Sequence, residues 1–473
     1  MGSARAAGPK PRRHDAVDTE NSTRRGSAVD GFAPLQDRVM WILYQIAIAA
    51  LLLLTAPILW LRRRRHYFAS LPKRLAYQLP PARGNHIWIH AVSVGEVGVA
   101  RTLIEALPAD VPLVLTTVTP TGQEQARRQL GKRAQIAFLP FDLSPAINRF
   151  LACFSPRTLI LVEGDLWPLL MRTLKSMSVP IVVVNGRISD RSYRRMRRLR
   201  WVLGPLLDPV DLFCVQSTED KDKLINLGVD STRIVHTGNL KFDSGQPTLR
   251  PEVLDLVRSL ADKRPILIAG STMEGEDDPV LDAFIELGGG DRGLLVLAPR
   301  HLERCDDVTQ LINSKSLRTI RRSRIEAQTK ARIDVLLLDS LGELAPLYEL
   351  ARAVFIGGTL APKGGHNPLE AARHGVPIAI GPSMENFREI ATQFDRNLAW
   401  HRVSGSRELA TVWDLWLRDP AEAERTGLKG AKVVSMNQGA LEATLEALQP
   451  YLPSREDFNA SEADRSSQAD FVS

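Results

Sequence analysis

Short apolar runs alternate with amphipathic stretches along most of this chain. From His86 onward the apolar runs are IWIHAVSV, VPLVLTTV, QIAFLPF, LILVEG, PIVVVNG and LFCVQS. Such runs, separated by helical stretches, predict the buried strands of a parallel α/β sheet. After a polar stretch near residues 243–263 the pattern restarts with PILIAGS, GLLVLAP, VLLLDS, AVFIGG and VPIAIGP. We therefore predict two Rossmann-like domains, at 62–245 and 246–452, facing each other across a cleft.

The segment 39–61 differs from this pattern because it contains no charged residue over 23 positions. A helix of that length can span a bilayer. The arginines at 62–65 outweigh the basic residues on the other flank, which predicts that the downstream domains face the cytoplasm. We interpret 39–61 as a single transmembrane anchor, with a buried core helix as the alternative.

The two ends of the chain lack an apolar period. Residues 1–38 are rich in Gly, Ala, Arg, Ser and Asp, and residues 453–473 are polar and acidic. Such compositions predict a disordered leader and a disordered tail. The helical stretch before the tail is expected to cross back and pack on the first domain.

Composition excludes several classes of function. The chain has 473 residues with a net charge of +7, which favours acidic partners. Its three scattered cysteines predict neither a disulfide framework nor a thiolate metal site. Neither HExxH, nor GxGxxG after a strand, nor GxxxxGK[ST] occurs, so a zinc protease, a dinucleotide oxidoreductase and a P-loop phosphotransferase lose their main support.

A carboxylate follows the first predicted strand at the edge where ligands bind in open α/β sheets. WIHAVSVGE, residues 88–96, runs from that strand into a helix and places Glu96 in its first turn. A base that activates a sugar hydroxyl must lie within hydrogen-bond reach of its proton, and Glu96 is positioned by topology to do so. The alternative is that Glu96 only complements the helix dipole.

The loops of the second domain supply candidate groups for an anionic ligand. Gly364 and Gly365 precede HNPLEAARHG, where a helix N-terminus would bind phosphate and Glu370 would accept hydrogen bonds from ribose hydroxyls. An ordinary tight turn is the alternative. By the same topology the loops at 271–272, 299–301 and 340–343 converge, and Arg300 can bind a phosphate or carboxylate in a bidentate manner or form a surface ion pair.

Seven arginines lie between Arg187 and Arg200, interleaved with Tyr193, Met196, Leu199 and Trp201. A basic, partly apolar helix of this kind suits an anionic membrane surface or a phosphorylated lipid. Nucleic acid and a plain solvated face are the alternatives, and the apolar segment at 39–61 favours lipid.

The motifs together resemble the 3-deoxy-D-manno-octulosonic acid (Kdo) transferases of lipopolysaccharide synthesis, which have the two-domain GT-B architecture. The resemblance extends from about Trp41 to Leu452. It rests on HAVSVGE at 90–96, TPTG at 119–122, LPFDL at 139–143, LWP at 166–168, NGRISDRS at 185–192, GNLKFD at 238–243, GSTMEGE at 270–276, PRH at 299–301, LGEL at 341–344 and GGHNPLE at 364–370.

This resemblance implies an inverting transfer of Kdo from CMP-Kdo to a lipid A precursor at the cytoplasmic side of the inner membrane, with Glu96 as general base. It implies no metal, no cofactor and no nucleic acid, and it implies that inner-membrane lipids are partners. Cytidine monophosphate is expected to contact a set of residues from three loops, namely Pro299, Arg300, Leu341, Gly342, Glu343, Asn367, Pro368, Leu369 and Glu370.

Two departures from the family pattern affect the acceptor side. EGDLWP stands where the family usually has ETELWP, which introduces Gly164 and Asp165, and Met273 replaces a histidine. Within enzymes, a GT-B transferase or epimerase that uses a UDP-sugar is the rival hypothesis. A non-catalytic membrane scaffold that binds acidic lipid is the rival from another class.

Overall fold

Two parallel sheets form the framework of the protein in a computed structural model, which describes residues 33–61, 65–81, 84–198, 204–243, 245, 251–325 and 332–453. Within these ranges each sheet has seven strands. The first sheet has the order β3-β2-β1-β4-β5-β6-β7, with strands β1 (Ile87–His90), β2 (Leu113–Thr117), β3 (Gln135–Phe138), β4 (Thr158–Val162), β5 (Ile181–Gly186), β6 (Leu212–Val215) and β7 (Ile234–His236).

The second sheet repeats this arrangement and confirms the predicted two-domain α/β fold. Its order is β10-β11-β9-β8-β12-β13-β14. Nearly every residue of the central strands is buried because helices cover both faces, which explains why the strands read as continuous apolar runs. The strands are β8 (Ile266–Thr272), β9 (Leu294–Pro299), β10 (Thr319–Arg321), β11 (Val335–Leu337), β12 (Ala351–Ile356), β13 (Ile378–Ile380) and β14 (His401–Arg402).

Helices connect the strands of both sheets and cover their faces. Those up to the end of the first sheet are α1 (Ala33–Leu61), α2 (Arg65–Arg74), α3 (Val94–Ala106), α4 (Pro120–Leu130), α5 (Ser144–Phe154), α6 (Pro168–Ser176), α7 (Asp190–Arg198) and α8 (Thr218–Asn226). Those that follow are α9 (Pro251–Ala261), α10 (Asp277–Glu286), α11 (Cys305–Ser314), α12 (Leu344–Leu347), α13 (Leu369–Ala372), α14 (Arg388–Arg396), α15 (Ser406–Arg418), α16 (Pro420–Met436) and α17 (Ala440–Leu448).

The TPTG motif shows how local chemistry starts one of these helices. Thr119 is the N-cap of α4 and its Oγ1 accepts the Gly122 amide at 3.1 Å, while Pro120 occupies the first helical position. Thr119 Oγ1 lies 2.8 Å from where a β-carbon of Gly122 would be, so a side chain would collide with the cap. Glycine at this position therefore permits the close approach that the cap requires.

Helix α1 contains the segment predicted to be a transmembrane anchor. No helix in the described residues is both long enough and apolar enough to cross a membrane, so the anchor predicted at 39–61 is not supported. Polar contacts instead tie the first half of α1 to the first domain. Tyr44 donates a hydrogen bond to Asp142 Oδ2 at 2.7 Å, Gln45 Oε1 accepts the Ser144 amide at 3.0 Å, and the Arg172 guanidinium lies over the Trp41 ring.

The structure describes only part of the two chain ends that the sequence predicts to be disordered. Helix α1 begins at Ala33, so residues 33–38 of the predicted leader are helical. The rest of the leader, the arginines at 62–64 and residues 454–473 of the predicted tail lie outside the described residues.

Helix α17 returns to the first domain, as expected from the sequence. Its buried Ala440 and Leu448 belong to the same apolar core as Ile87 of β1. Asp243 accepts the amides at the start of α17, from Gly439 at 3.0 Å and Leu441 at 2.8 Å. The predicted boundary at 452 assigns this helix to the second domain by chain order, whereas its packing joins it to the first.

The buried Asp142 connects three parts of the first domain. It accepts the amides of Leu169 at 3.0 Å and Leu170 at 2.8 Å, in the first turn of α6, in addition to the Tyr44 hydroxyl. Burial raises its pKa, and these three hydrogen bonds oppose that shift. The LPFDL and LWP motifs are therefore joined through one carboxylate.

We expect Asp142→Ala to lower the free energy of unfolding by about 2–4 kcal/mol, because two buried amides and a hydroxyl lose their acceptor. Tyr44→Phe removes only one of the three hydrogen bonds and should cost about 1 kcal/mol. Denaturation by urea measures both values. Equal losses for the two variants would contradict the role assigned to Asp142.

Candidate functional site

Three acidic side chains lie together at the carboxyl ends of β1 and β4. Glu96 is held there by two hydrogen bonds, with its Oε2 accepting the Val92 amide and its Oε1 accepting the Ser93 hydroxyl, both at 2.8 Å. Glu163 and Asp165 follow β4 and act electrostatically on Glu96. The carboxylate predicted as a general base therefore occupies the cleft edge, in a fixed orientation.

The Glu96 carboxyl has an unusual affinity for protons. Its pKa is raised from 4.5 to about 7, chiefly by burial and to a smaller extent by the negative charges of Glu163 and Asp165, whereas the hydrogen bonds from Val92 and Ser93 oppose the shift. A general base works best when its pKa lies near the working pH. The hypothesis that Glu96 only complements the helix dipole explains its position in the first turn of α3. It does not explain why two other carboxylates lie beside it.

A lysine not identified from the sequence completes this group. Lys241 Nζ lies 2.8 Å from Glu163 Oε1, and both side chains are about one-fifth exposed. Asn185 Nδ2 donates to the same oxygen at 3.5 Å. Lys241 lies in the turn Leu240–Asp243, after the last strand of the first sheet, so the chain that leads to the second domain passes beside the carboxylates. Only its place in the GNLKFD motif could have indicated it.

Arg300 follows β9 and is exposed at the edge of the second domain, whereas Pro299 is buried. The guanidinium influences two neighbours. Burial first, and then the charges of Arg300 and His301, lower the pKa of His366 to about 4, so this imidazole is neutral near pH 7. Arg300 also acts to lower the pKa of Glu370. The loops at 299–301 and 364–370 therefore converge as predicted.

The segment 367–370 differs in one respect from the prediction. Helix α13 has only four residues, so the extended helix N-terminus expected to bind phosphate is not formed. Leu369 is fully buried and Pro368 is buried. The Leu369 amide donates to Asn367 Oδ1 at 3.1 Å, and the carbonyls of Pro368 and Leu369 accept the amides of Ala372 and Arg373, so the side chains of Asn367 and Glu370 are the polar groups of this segment that can face a ligand. Asn367 Nδ2 donates to Glu370 Oε1 at 3.3 Å.

Glu370 shows that both domains contribute to one cleft. Burial raises its pKa, while the hydrogen bond from Asn367 and the positive charges of Arg373, Arg300 and Arg101 act to lower it. Arg101 belongs to α3, the helix that carries Glu96. A positive charge on the helix that carries the candidate base therefore acts on a carboxyl group of the candidate nucleotide loops.

The third predicted loop, residues 341–343, presents Leu341 and Gly342 to solvent. Glu343 pairs with Arg322, which the sequence motifs do not indicate. Arg322 Nη2 donates to Glu343 Oε1 at 3.1 Å, and Ser340 Oγ donates to Glu343 Oε2. No sequence signal distinguishes Arg322 from the other arginines at 318–324, because the pairing depends on β10 lying beside β11.

The predicted basic stretch forms helix α7 on the surface of the first domain. Every residue of α7 is at least partly exposed, and Tyr193 and Met196 pack against the core of that domain. Arg191, Arg194, Arg195, Arg197 and Arg198 are exposed. The prediction for Arg200, Leu199 and Trp201 lies outside the described residues. In the part of the chain that the structure describes, no group of three or more His, Cys, Asp or Glu is arranged to hold a metal.

Comparison with known proteins assigns the family. The model of the family described as 3-deoxy-D-manno-octulosonic-acid transferase (kdotransferase) matches residues 65–244. A 3-deoxy-D-manno-octulosonic acid transferase of Haemophilus influenzae is 34% identical over 379 residues, which cover 79% of this chain and 88% of that protein. The chain belongs to the Kdo transferase family. It is therefore a glycosyltransferase, and its family supports Kdo transfer in lipopolysaccharide synthesis.

Solved structures show a similar fold for this Kdo transferase. UDP-GlcNAc 2-epimerase from Neisseria meningitidis superposes with a TM-score of 0.52 at 11% identity, over 77% of this chain and 100% of that chain. A glycosyltransferase from Rickettsia africae has a TM-score of 0.50 at 14% identity, over 78% of this chain and 99% of that chain. Both likenesses concern the two-domain architecture, in accord with the predicted GT-B arrangement.

Asp165→Asn should lower the pKa of Glu96, because the substitution removes one of the two negative charges that raise it. A ¹³C NMR titration of the Glu96 carboxyl measures the shift directly. Glu105→Gln is the matched control, since Glu105 is on the same helix but pairs with Arg101. An unchanged or higher pKa of Glu96 in Asp165→Asn would contradict the proposed coupling of the carboxylates.

Proposed function

We propose that this enzyme transfers Kdo from CMP-Kdo to a lipid A precursor of the lipid IVA type, with inversion at the anomeric carbon and Glu96 as the general base. The observation that carries the proposal is the fixed position of the Glu96 carboxylate together with its raised pKa. The carboxylate is fixed at the cleft edge by the Val92 amide and the Ser93 hydroxyl, and its pKa of about 7 suits proton abstraction near neutral pH.

The proposed reaction is a single displacement. Glu96 takes the proton of the acceptor hydroxyl, and the oxygen attacks the anomeric carbon of Kdo from the face opposite the phosphate. As the new C–O bond forms, the bond from the anomeric carbon to the phosphate oxygen breaks and its electron pair leaves with CMP. Attack from the opposite face inverts the configuration.

The second domain provides groups suited to the donor. Arg300 supplies a cation for the phosphate or the sugar carboxylate, and Glu370 supplies an acceptor for ribose hydroxyls. The loop at 341–343, with Leu341 and Gly342 exposed, provides backbone groups and a surface for the base. Because CMP leaves as a monophosphate, Arg300 can meet the charge of the leaving group, and we propose that transfer uses neither a metal nor another cofactor.

Glu96→Gln should lower kcat by about 10²–10⁴-fold, because the amide cannot accept the proton, while CMP binding is retained. Transfer from CMP-Kdo, generated in situ, to a lipid A precursor in detergent measures the loss. The wild-type rate should rise with pH through about 7 as Glu96 ionises, and a chelator should leave it unchanged. Glu105→Gln is the control for a charge change on α3.

Absence of product from folded wild-type enzyme would overturn the donor or acceptor assignment. Competition by CMP compared with competition by UDP would then distinguish a cytidylate donor from the UDP-sugar alternative. Full activity of Glu96→Gln would instead overturn the assignment of the base while leaving the donor assignment intact.

We propose that the enzyme works against the cytoplasmic surface of the inner membrane, where helix α7 contacts anionic lipid and the acceptor's phosphates. Five exposed arginines on α7 support this, with Tyr193 and Met196 fixing the helix to the domain. The apolar side chains of Leu43, Leu53 and Leu54 on α1 are also exposed, by 59%, 74% and 73%. A basic helix and an exposed apolar helix on one domain suit an interfacial location.

Substituting two arginines of α7, Arg194→Gln with Arg197→Gln, should weaken binding to vesicles that contain anionic lipid by several-fold, since each basic residue near such a surface contributes about 1 kcal/mol. Co-sedimentation at low and high salt measures this effect. Lys429→Gln with Lys432→Gln is the matched control, because both lysines are exposed with the same spacing on α16. Equal losses for both pairs would show that net charge, not helix α7, directs binding.

A further inference from the structure

A fully buried carboxylate lies behind the donor loops of the second domain. Glu276, at the N-cap of α10, has no exposed surface. Its Oε1 accepts the amides of Thr359 at 2.9 Å, Leu360 at 2.8 Å and Ala361 at 3.0 Å. Its Oε2 accepts the Gly358 amide at 2.6 Å and, from its own loop, the Met273 amide at 2.8 Å.

Five backbone amides surround the Glu276 carboxylate, four of them from the loop after β12 and one from its own loop. Successive amides that point into one concavity form an anion-binding nest. In this loop the nest after β12 is filled by a side chain of the protein, which leaves no room there for a donor phosphate.

The loop that Glu276 holds is joined directly to one donor segment. Gly358 O accepts the Gly365 amide at 2.8 Å, and Gly357 O accepts the His366 amide at 3.2 Å. Asn367 and Glu370 follow within four residues of His366. A displacement of 357–361 therefore carries the GGHNPLE segment with it.

The loop that contains Glu276 is joined to the other donor segment. The Arg300 amide donates to Thr272 O at 2.9 Å, immediately before the turn that Glu276 closes through Met273. The two loops also touch closely, since a β-carbon on Gly357 would lie 2.3 Å from Ser271 O. Glu276 thus lies between the loops after β8 and β12 and fixes the relative position of Arg300 and the 367–370 segment.

We propose that Glu276 is a positioning residue for donor binding, which acts by holding the two nucleotide loops in register without touching the substrate. This inference rests on the proposed CMP-Kdo donor. The amide nest requires an ionised acceptor with two oxygens, because one oxygen accepts three amides and the other accepts two. A glutamine at this position would turn an NH₂ group towards backbone N–H donors and open the nest.

Glu276→Gln should raise the KM for CMP-Kdo and the Kd for CMP on the order of tenfold, because charge-assisted hydrogen bonds are lost beneath both loops. The KM for the lipid acceptor should stay unchanged, since the acceptor side lies on the other domain. Asp334→Asn is the matched control. Asp334 is a buried carboxylate that accepts the Arg318 amide at 2.9 Å, but it precedes β11, at the end of the sheet opposite the donor loops.

Hydrogen exchange gives a second measurement that does not depend on turnover. The amides of 358–361 should be protected in the wild-type enzyme, and Glu276→Asp, whose shorter side chain keeps the charge, should lose protection there before the rest of the second sheet does. This variant keeps the inference testable where Glu276→Gln does not fold.

The inference would be overturned if Glu276→Gln kept the wild-type donor KM, or if the donor KM rose equally in Asp334→Asn. An equal rise in the acceptor KM of Glu276→Gln, or unprotected amides at 358–361 in the wild-type enzyme, would also overturn it. Failure of the proposed function would give a different result from failure of this inference. In that case wild-type enzyme does not bind CMP, while the exchange pattern at 358–361 still reports whether Glu276 holds the loop.

Discussion

Carboxylates that are buried or half-buried and accept backbone amides lie at the carboxyl-end edges of both sheets. Parallel strands that end at one edge leave loops whose N–H groups have no partner in the sheet, and an unpaired buried amide costs about 1–3 kcal/mol. Asp142, Glu96 and Glu276 each satisfy such amides. The consequence is a set of short loops that are fixed in place although they contain little regular structure.

The same interaction fixes the orientation of the Glu96 carboxylate. Its hydrogen bonds to the Val92 amide and the Ser93 hydroxyl fix the start of α3, while its neighbours Glu163 and Asp165 make the carboxylate hold a proton more tightly. The hydrogen bonds therefore position the carboxylate, whereas burial first and then the two neighbouring carboxylates raise its pKa.

The sequence predicted the loops that converge but not all the side chains that complete them. Glu96, Arg300 and Glu370 were predictable because residues after parallel strands meet at one sheet edge. Lys241 and Arg322 were not, since each reaches its carboxylate partner from a segment distant in sequence. Periodicity describes one element at a time and contains no information on such pairs.

The sequence by itself determined the two-sheet fold, the edge that carries the site and, through its motifs, the family. These follow from local patterns, because apolar runs define strands and strand ends define the cleft. Only the tertiary structure decided that the 369–372 helix is a single turn, that Tyr44 joins the apolar N-terminal helix to the first domain, and that Glu276 fills the amide nest. Those outcomes depend on contacts between groups that are far apart in sequence, and burial and electrostatics act between groups that are close in space.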